Sequence, residues 1–301
     1  MKIFNYSLAV IITALFIGSC QIADSGKKHT QPHPDAFSFA FMTDIHLNFS
    51  REESFKGFEQ AIEKAKQMGV DFIITGGDNV DADVVGNDIE KARNMFLEFR
   101  EIIDRSDIDI HVTMGNHDRF WHQAESNATH GAALFLDYFP DTYFSYSFND
   151  VYFIHLNTSE VCDGKYCVSE EQREWIEQTL ASLDRQTPLV LVVHVPFLSF
   201  YYPALYGHYT HTDVFDGFKE VWDMFKGHNL QLVLQGHMHL FEELNVLNTQ
   251  FITGGALSGG WWRGPYHGTH EGFVLVHWDG TAFSWDYVDF GWDASMYQTN
   301  N

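Results

Sequence analysis

The chain is short of positive charge. Lysine and arginine number 18 against 41 aspartates and glutamates, a formal net charge of −23 over 301 residues. Its longest basic run is the pair Lys27-Lys28. A protein that grips a nucleic-acid backbone needs a basic face, so no binding to a nucleic-acid duplex is expected. Internal repeats are missing too, and 45% hydrophobic content suits one large core with elaborations. If such a chain handles phosphate, something other than surface Lys and Arg must supply the positive charge. Metal ions fit that need, and 17 histidines with 41 carboxylates are ample ligand stock.

Long apolar runs are scarce. The stretch from Leu8 to Ile17, broken by Thr13 and preceded by Lys2, is too short to span a bilayer and fits the h-region of a signal peptide. Ile17-Gly18-Ser19-Cys20 then places two small residues before a cysteine. This resembles a bacterial lipoprotein signal, although leucine is commoner than isoleucine three places before the cysteine. The resemblance implies a signal over residues 1–19, lipidation of Cys20, a membrane anchor and a place in the bacterial cell envelope. A plain secretory signal with Cys20 as a passenger is the alternative. Residues 20–36 are polar, hold two prolines and read as a flexible tether. Cysteines number three. With Cys20 lipidated, Cys162 and Cys167 remain; in an oxidising compartment they are expected to form a small-loop disulfide rather than free thiols. Two cysteines without nearby partners make a poor zinc site.

From Phe37 onward, apolar strands alternate with amphipathic helices. Strands are expected at 37–42, 70–75 and 108–114, with helices at 55–68 and 89–103 between them. A hairpin turning at Asn149-Asp150 joins 143–148 to 151–156. Helix 170–183, strand 189–193, helix 215–225 and strand 230–234 follow, and the chain is β-rich over about 241–301. This alternation argues an α/β core with parallel strands, in a single domain over 37–301.

The strand ends carry a theme. They read Thr43-Asp44-Ile45-His46, Gly76-Gly77-Asp78-Asn79, Gly115-Asn116-His117-Asp118, His194, and Gly236-His237-Met238-His239. In the last of these, two histidines at i and i+2 face the same side of an extended segment. Alone, that pair would serve equally well as strand-tip polar residues bonded to a loop. Five ends together, all with oxygen and nitrogen donors at the carboxyl ends of strands, point to one ligand site.

The ordered set D-x-H, G-D, G-N-H-D, H and G-H-x-H, spanning Phe37 to Leu240, resembles the calcineurin-like metallophosphoesterase superfamily. The resemblance implies a four-layer α/β/β/α sandwich with a dinuclear metal centre. Asp44, His46 and His239 would ligate one ion, Asn116, His194 and His237 the other, and Asp78 would bridge them. Imidazole and carboxamide donors suit Mn, Fe or Zn better than Mg. A carboxylate bridge holds such ions about 3.5–4 Å apart, and a water or hydroxide between them attacks phosphorus in line. The activity implied is phosphoester hydrolysis, with a phosphodiesterase expected and a phosphomonoesterase or nucleotidase as the alternative. A catalytically silent scaffold on the same fold is the rival of another class. His117 is expected as electrostatic stabiliser or as acid for the leaving alkoxide, with Asp118 orienting its ring. Asp81 and Asp83 read as solvated loop carboxylates. No tyrosine closely follows Asp78, so no tyrosinate-bound ferric site is expected.

Two segments are candidate pocket walls. Pro196 to His211 is aromatic and offers Tyr201, Tyr202 and His208 to a leaving group, or else packs under the sandwich. Gly254 to Pro265 brings Trp261 and Trp262 for stacking and Arg263 for a phosphate or carboxylate; it also resembles a Trp-rich tail of some envelope-associated phosphoesterases. Arg119 is a further candidate phosphate contact, whereas Met114 and Met238 read as packing. An envelope location favours nucleotides, lipid head groups, sugar phosphates or wall polymers over cyclic nucleotides as substrates.

Overall fold

A computed structural model describes residues 33–121, 128, 130–210 and 214–297. The expected signal, Cys20 and most of the tether lie outside the described residues. In chain order the elements are β1 (Phe37–Met42), α1 (Glu53–Gln67), β2 (Phe72–Gly76), α2 (Ile89–Arg105), β3 (Ile110–Thr113), α3 (Ala133–Leu136), β4 (Phe144–Phe148) and β5 (Val151–His155). Then come β6 (Glu160–Cys162), β7 (Lys165–Cys167), α4 (Glu170–Ala181), β8 (Pro188–Val192), α5 (Tyr201–Tyr206) and α6 (Phe218–Met224). The chain closes with β9 (Asn229–Gln235), β10 (Phe241–Val246), β11 (Thr249–Gly254), β12 (Gly272–Trp278) and β13 (Phe283–Asp289).

Eleven of these strands build two mixed sheets, ordered β13-β12-β1-β2-β3 and β10-β11-β9-β8-β5-β4, and β6 and β7 form a separate two-stranded ribbon. Helices α1 and α2 cover the outer face of the first. Each buries one stripe: Phe58, Ala61, Ile62 and Ala65 on α1, and Ala92, Met95, Phe96 and Phe99 on α2. The start of α2 is set by Asp88, whose side chain accepts the Lys91 backbone N–H at 3.2 Å. Helices α4 and α6 cover the second sheet through Ile176, Leu180 and Val221. Between the sheets lies an aromatic-rich layer of Phe37, Phe39, Phe41, Phe72, Phe153 and Trp278, with Phe39 and Phe72 stacked at 5.0 Å. The four-layer α/β/β/α order is therefore the one expected. Strand β2, covered on both faces, is buried throughout, whereas edge strand β13 alternates.

Three differences have physical causes. The helix expected from Phe215 starts only at Phe218, because Gly217 precedes it in a left-handed conformation (φ 74°). The β-rich tail divides, β10 and β11 joining one sheet and β12 and β13 the other. Trp262 does not face a ligand: it is 1% exposed, its indole N–H donates to the Ile45 carbonyl at 2.9 Å, and its ring fills the space where a Gly57 side chain would stand. A Cβ on Gly57 would come within 2.1 Å of that ring, so glycine on α1 is what admits the indole. Truncating Trp262 to alanine should cost about 3–5 kcal/mol in urea unfolding, as for a buried tryptophan. The neighbouring Trp261→Ala should stay within about 1 kcal/mol of wild type; equal costs would contradict this division of roles.

Candidate metal centre

All five polar strand ends meet at the carboxyl edge of the two sheets. Backbone hydrogen bonds lace them together: Asp44 N–H to Gly77 O at 3.0 Å, His46 N–H to Asp78 O at 2.9 Å, and Gly236 N–H to His194 O at 3.0 Å. The loops turn sharply, and Asp44, His46, Asp78, His237 and His239 all have φ between 52° and 73°. Left-handed backbone in non-glycine residues costs on the order of 1 kcal/mol or more each and collects at functional sites. Close approach does the rest. A Cβ on Gly115 would lie 2.3 Å from the Asp78 carboxylate, and one on Gly236 would lie 2.9 Å from that of Asp44.

The side chains gather into two linked clusters. Asp44, His46 and His239 form one, and Asp78, His194 and His237 the other. His46 Nε2 and His239 Nε2 are 3.0 Å apart, and Asp44 Oδ1 is 3.4 Å from the latter. His194 Nε2 lies 3.1 Å from both Asp78 Oδ2 and Asn116 Oδ1. Asp78 Oδ2 also reaches towards the first cluster, 3.9 Å from His46 Nε2. Asp78 thus stands between the two groups.

The far ring nitrogens decide what these atoms can hold. His194 Nδ1 donates to Gly76 O at 2.8 Å and His239 Nδ1 to Gly259 O at 2.8 Å. His46 Nδ1 meets Asp81 Oδ1 at 2.6 Å. Each bond places a proton on Nδ1 and turns the Nε2 lone pair inward, the usual arrangement behind a metal-binding imidazole. Lone pairs facing one another at about 3 Å require positive charge between them. The acid–base balance agrees. Burial works against protonation of His46 and His194, yet Asp81 raises the first and Asp78 the second, to about 9 for His194. His239, buried with less compensation from Asp44, is lowered to about 4. A pair of divalent cations satisfies this demand without protons, and the donor set of imidazole, carboxylate and carboxamide fits transition-metal ions.

His117 stands beside the clusters, its Nε2 3.9 Å from Asp78 Oδ2. Its ring is oriented by Asp83, whose Oδ1 accepts from Nδ1 at 2.8 Å, not by Asp118. Burial opposes charge on His117, but Asp78 and the Asp83 bond outweigh it and raise the ring to about 10. Asp118 is wholly buried and occupied elsewhere. It accepts the backbone N–H groups of Asn79, Val80 and Gly115 and the Asn79 side-chain amide, at 2.8–3.0 Å. It is a clamp between the β2 and β3 loops. Asp81 and Asp83 are likewise not solvated loop carboxylates: they hold the rings of His46 and His117. Their offsets of three and five from Asp78 were visible, but nothing in one sequence says which ring each would meet.

The expected substrate contacts separate. Trp261, 38% exposed, lies against His239 with ring centroids 4.2 Å apart, and Tyr266 meets both edge-on. Tyr201 joins this wall through its hydroxyl, 3.4 Å from that of Tyr266. Tyr202 packs on Tyr201 and Tyr206. His208 is turned to the neighbouring backbone, its Nδ1 donating to Tyr206 O at 3.0 Å, and Arg263 is exposed on its loop. Arg119 is buried and donates to Ser159 O, behind the β6–β7 hairpin. Met114 and Met238 are buried packing residues. Tyr166, on β7, is an aromatic neighbour of His237 that sequence reading missed (centroids 5.8 Å); its place between two cysteines was the one available hint.

Purified protein should take up two equivalents of Mn²⁺ or Zn²⁺. Asp78→Ala should lose both by elemental analysis, since that carboxylate stands between the clusters; retention of two ions would remove Asp78 from the centre.

Comparison with known proteins agrees with this fold. An uncharacterized metallophosphoesterase of Helicobacter pylori is 21% identical over 201 residues, 66% of this chain; the chain spans 43% of that relative's length. A dimetal phosphatase from Danio rerio superposes with a TM-score of 0.62 at 14% identity, covering 83% of this chain and 95% of that one. Purple acid phosphatase from yellow lupin (Lupinus luteus) gives 0.60 at 17%, covering 86% of this chain and 53% of that one. Residues 37–241 match the calcineurin-like phosphoesterase family, and the chain belongs to it, a family that uses divalent metals in a dinuclear centre.

Proposed function

We propose that the protein is an exported, lipid-anchored phosphodiesterase. The hydrolytic part rests on one observation above others: two inward-facing donor clusters share Asp78, with His117 poised beside them. The ions, when bound, supply neutralisation of phosphoryl charge and activation of the attacking water. The chain's own residues do the rest. Asp81 and the Gly259 carbonyl hold the rings of His46 and His239 in place. Asp83 fixes Nδ1 of His117, which leaves Nε2 to hold a proton for the departing oxygen. The diester preference is supported by the half-exposed wall of Trp261, Tyr266 and Tyr201, which offers apolar surface to an organic group beside the phosphate. A phosphomonoester has one organic group to lay against this wall, whereas a diester has a second beside the phosphate.

Export is supported by the apolar run at 8–17 and the Ile17–Cys20 pattern. The Cys162–Cys167 disulfide suits an oxidising compartment. Substrates in the envelope are small-molecule, lipid or sugar phosphoesters, and Mn, Fe or Zn are the ions proposed. Replacing Cys20 by serine is expected to move the protein from the membrane to the soluble fraction; membrane retention would end the anchor proposal.

The activity test uses metal-loaded full-length protein and its chelated form on a chromogenic diester and the matching monoester. Metal-dependent cleavage favouring the diester is expected. Preference for the monoester would make the protein a phosphatase, and cleavage of neither would favour the silent scaffold. His117→Ala should keep its metals and lose roughly 10²–10⁴ in rate, the usual share of general acid–base help.

A further inference from the structure

The hairpin β6–β7 has only three residues in each strand, and Cys162, Asp163, Gly164 and Lys165 at its tip are exposed. A two-stranded ribbon of this size has little stability of its own. Two features hold it. The Cys162–Cys167 disulfide closes it across a Cα–Cα distance of 5.8 Å, and its base is tied to the body of the protein. Asp216 N–H donates to Tyr166 O at 2.7 Å, Cys167 bridges to Asp216, and Arg119 donates to Ser159 O at the hairpin's root. The buried guanidinium of Arg119 sits there in the field of Glu160 and Tyr166.

This effort at a solvent-exposed ribbon has one inward product. Tyr166, paired with Val161, is half-buried and presents its ring edge-on to His237 at 84°. Its hydroxyl makes no hydrogen bond among the described residues. The charges that bear on it are Asp78 and Asp83, the carboxylate between the clusters and the partner of His117, with Arg119 opposing them. The phenol ring lies beside His237 of the second cluster, whereas Trp261 leans on His239 of the first. A tyrosine there for packing alone would be served as well by phenylalanine. A free hydroxyl beside the site where phosphate oxygens gather has a use.

We infer that Tyr166, held over the metal centre by the disulfide-closed hairpin, donates its hydroxyl proton in a hydrogen bond to a phosphoryl oxygen of the bound substrate. The inference rests on the phosphohydrolase reading. It makes Tyr166 a phosphate-binding residue, and Cys162 and Cys167 positioning residues that act through it.

Inorganic orthophosphate is the probe, because it carries phosphoryl oxygens and no leaving group. Its affinity for metal-loaded full-length protein is measured by calorimetry, alongside metal content and melting temperature. Tyr166→Phe should weaken phosphate binding roughly ten-fold or more, as the loss of one hydrogen bond to a charged partner does, with both metals retained. Cys162→Ala/Cys167→Ala should weaken it as well, and should add little in the Tyr166→Phe background, since both changes remove the same contact. Unchanged phosphate affinity in Tyr166→Phe overturns the inference, even if ester hydrolysis slows, because the hydroxyl would then serve the leaving group. Loss of metal from Tyr166→Phe overturns it too, making the residue a support of the centre. A wild-type protein that binds metal and phosphate but cleaves neither ester would sink the hydrolase reading while leaving the Tyr166 comparison measurable.

Discussion

Three imidazoles with their protons turned outward and their lone pairs turned inward set the terms for the rest of this molecule. Burying polar acceptors face to face is costly unless positive charge lies between them. The outward hydrogen bonds of His46, His194 and His239 go to Asp81, Gly76 and Gly259, which belong to two segments, the end of β2 with its loop and the loop after β11. His194 extends from the second sheet and bonds the last residue of β2 in the first. The two sheets must therefore keep their spacing and register at this edge. The aromatic layer between them, with Phe39 stacked on Phe72 and Tyr146 on Phe153, sets that spacing farther down the strands. Left-handed backbone at five of the seven candidate ligands is the local strain accepted for convergence, and the close-packed core beneath holds it in place.

The short segment from Asp78 to Asp83 distributes that constraint. It holds three carboxylates, and each meets a different ring: Asp78 with His194, Asp81 with His46, and Asp83 with His117. The backbone is stitched on both sides so that this fan cannot collapse. Asp81 N–H bonds Leu47 O, and Ala82 N–H bonds His117 O. Asp118 grips the same segment from below through the amides of Asn79 and Val80. The consequence is a division of labour among neighbouring acids. Asp78 is placed among the ring atoms that face the centre, while Asp81 and Asp83 lie behind their histidines and fix the tautomers.

Most of the fold was legible because its signals are periodic. Strand and helix positions follow from runs of apolar residues that must be covered on one face or two, and β1 has the boundaries expected of it. The site was legible for a related reason: the sheet brings the carboxyl ends of β1, β2, β3, β8 and β9 to one edge, so polar punctuation repeated at strand ends becomes spatial proximity. What escaped reading depends on side-chain direction in irregular backbone. Asp118 follows His117 directly, yet its carboxylate turns away to the amides, and Asp83, thirty-four residues earlier, reaches the ring instead. Trp261 and Trp262 are adjacent and equally aromatic, but consecutive left-handed residues send one to the rim and the other into the core beside Gly57. No composition or spacing argument separates such neighbours. Tyr166 was hidden differently: its place beside His237 follows from the docking of the hairpin through Asp216, fifty residues later, which no local pattern announces.

The charge balance of the whole chain and that of the site point in opposite directions, and distance reconciles them. A formal charge of −23 repels an anionic ester approaching through water. Screening confines that repulsion to about 8 Å at physiological ionic strength, so the scattered surface carboxylates act weakly on a substrate already at the rim. Within the centre the acids are consumed: Asp78, Asp81, Asp83 and Asp118 each face a ring or a set of N–H donors. Because these acids are spent on fixing imidazoles, positive charge brought to the inward nitrogens is left to act on phosphate. A surface poor in lysine and arginine is then no obstacle to phosphate chemistry, provided the cation is held at the strand ends and the aromatic residues around it, Trp261 against His239 and Tyr166 against His237, are neutral.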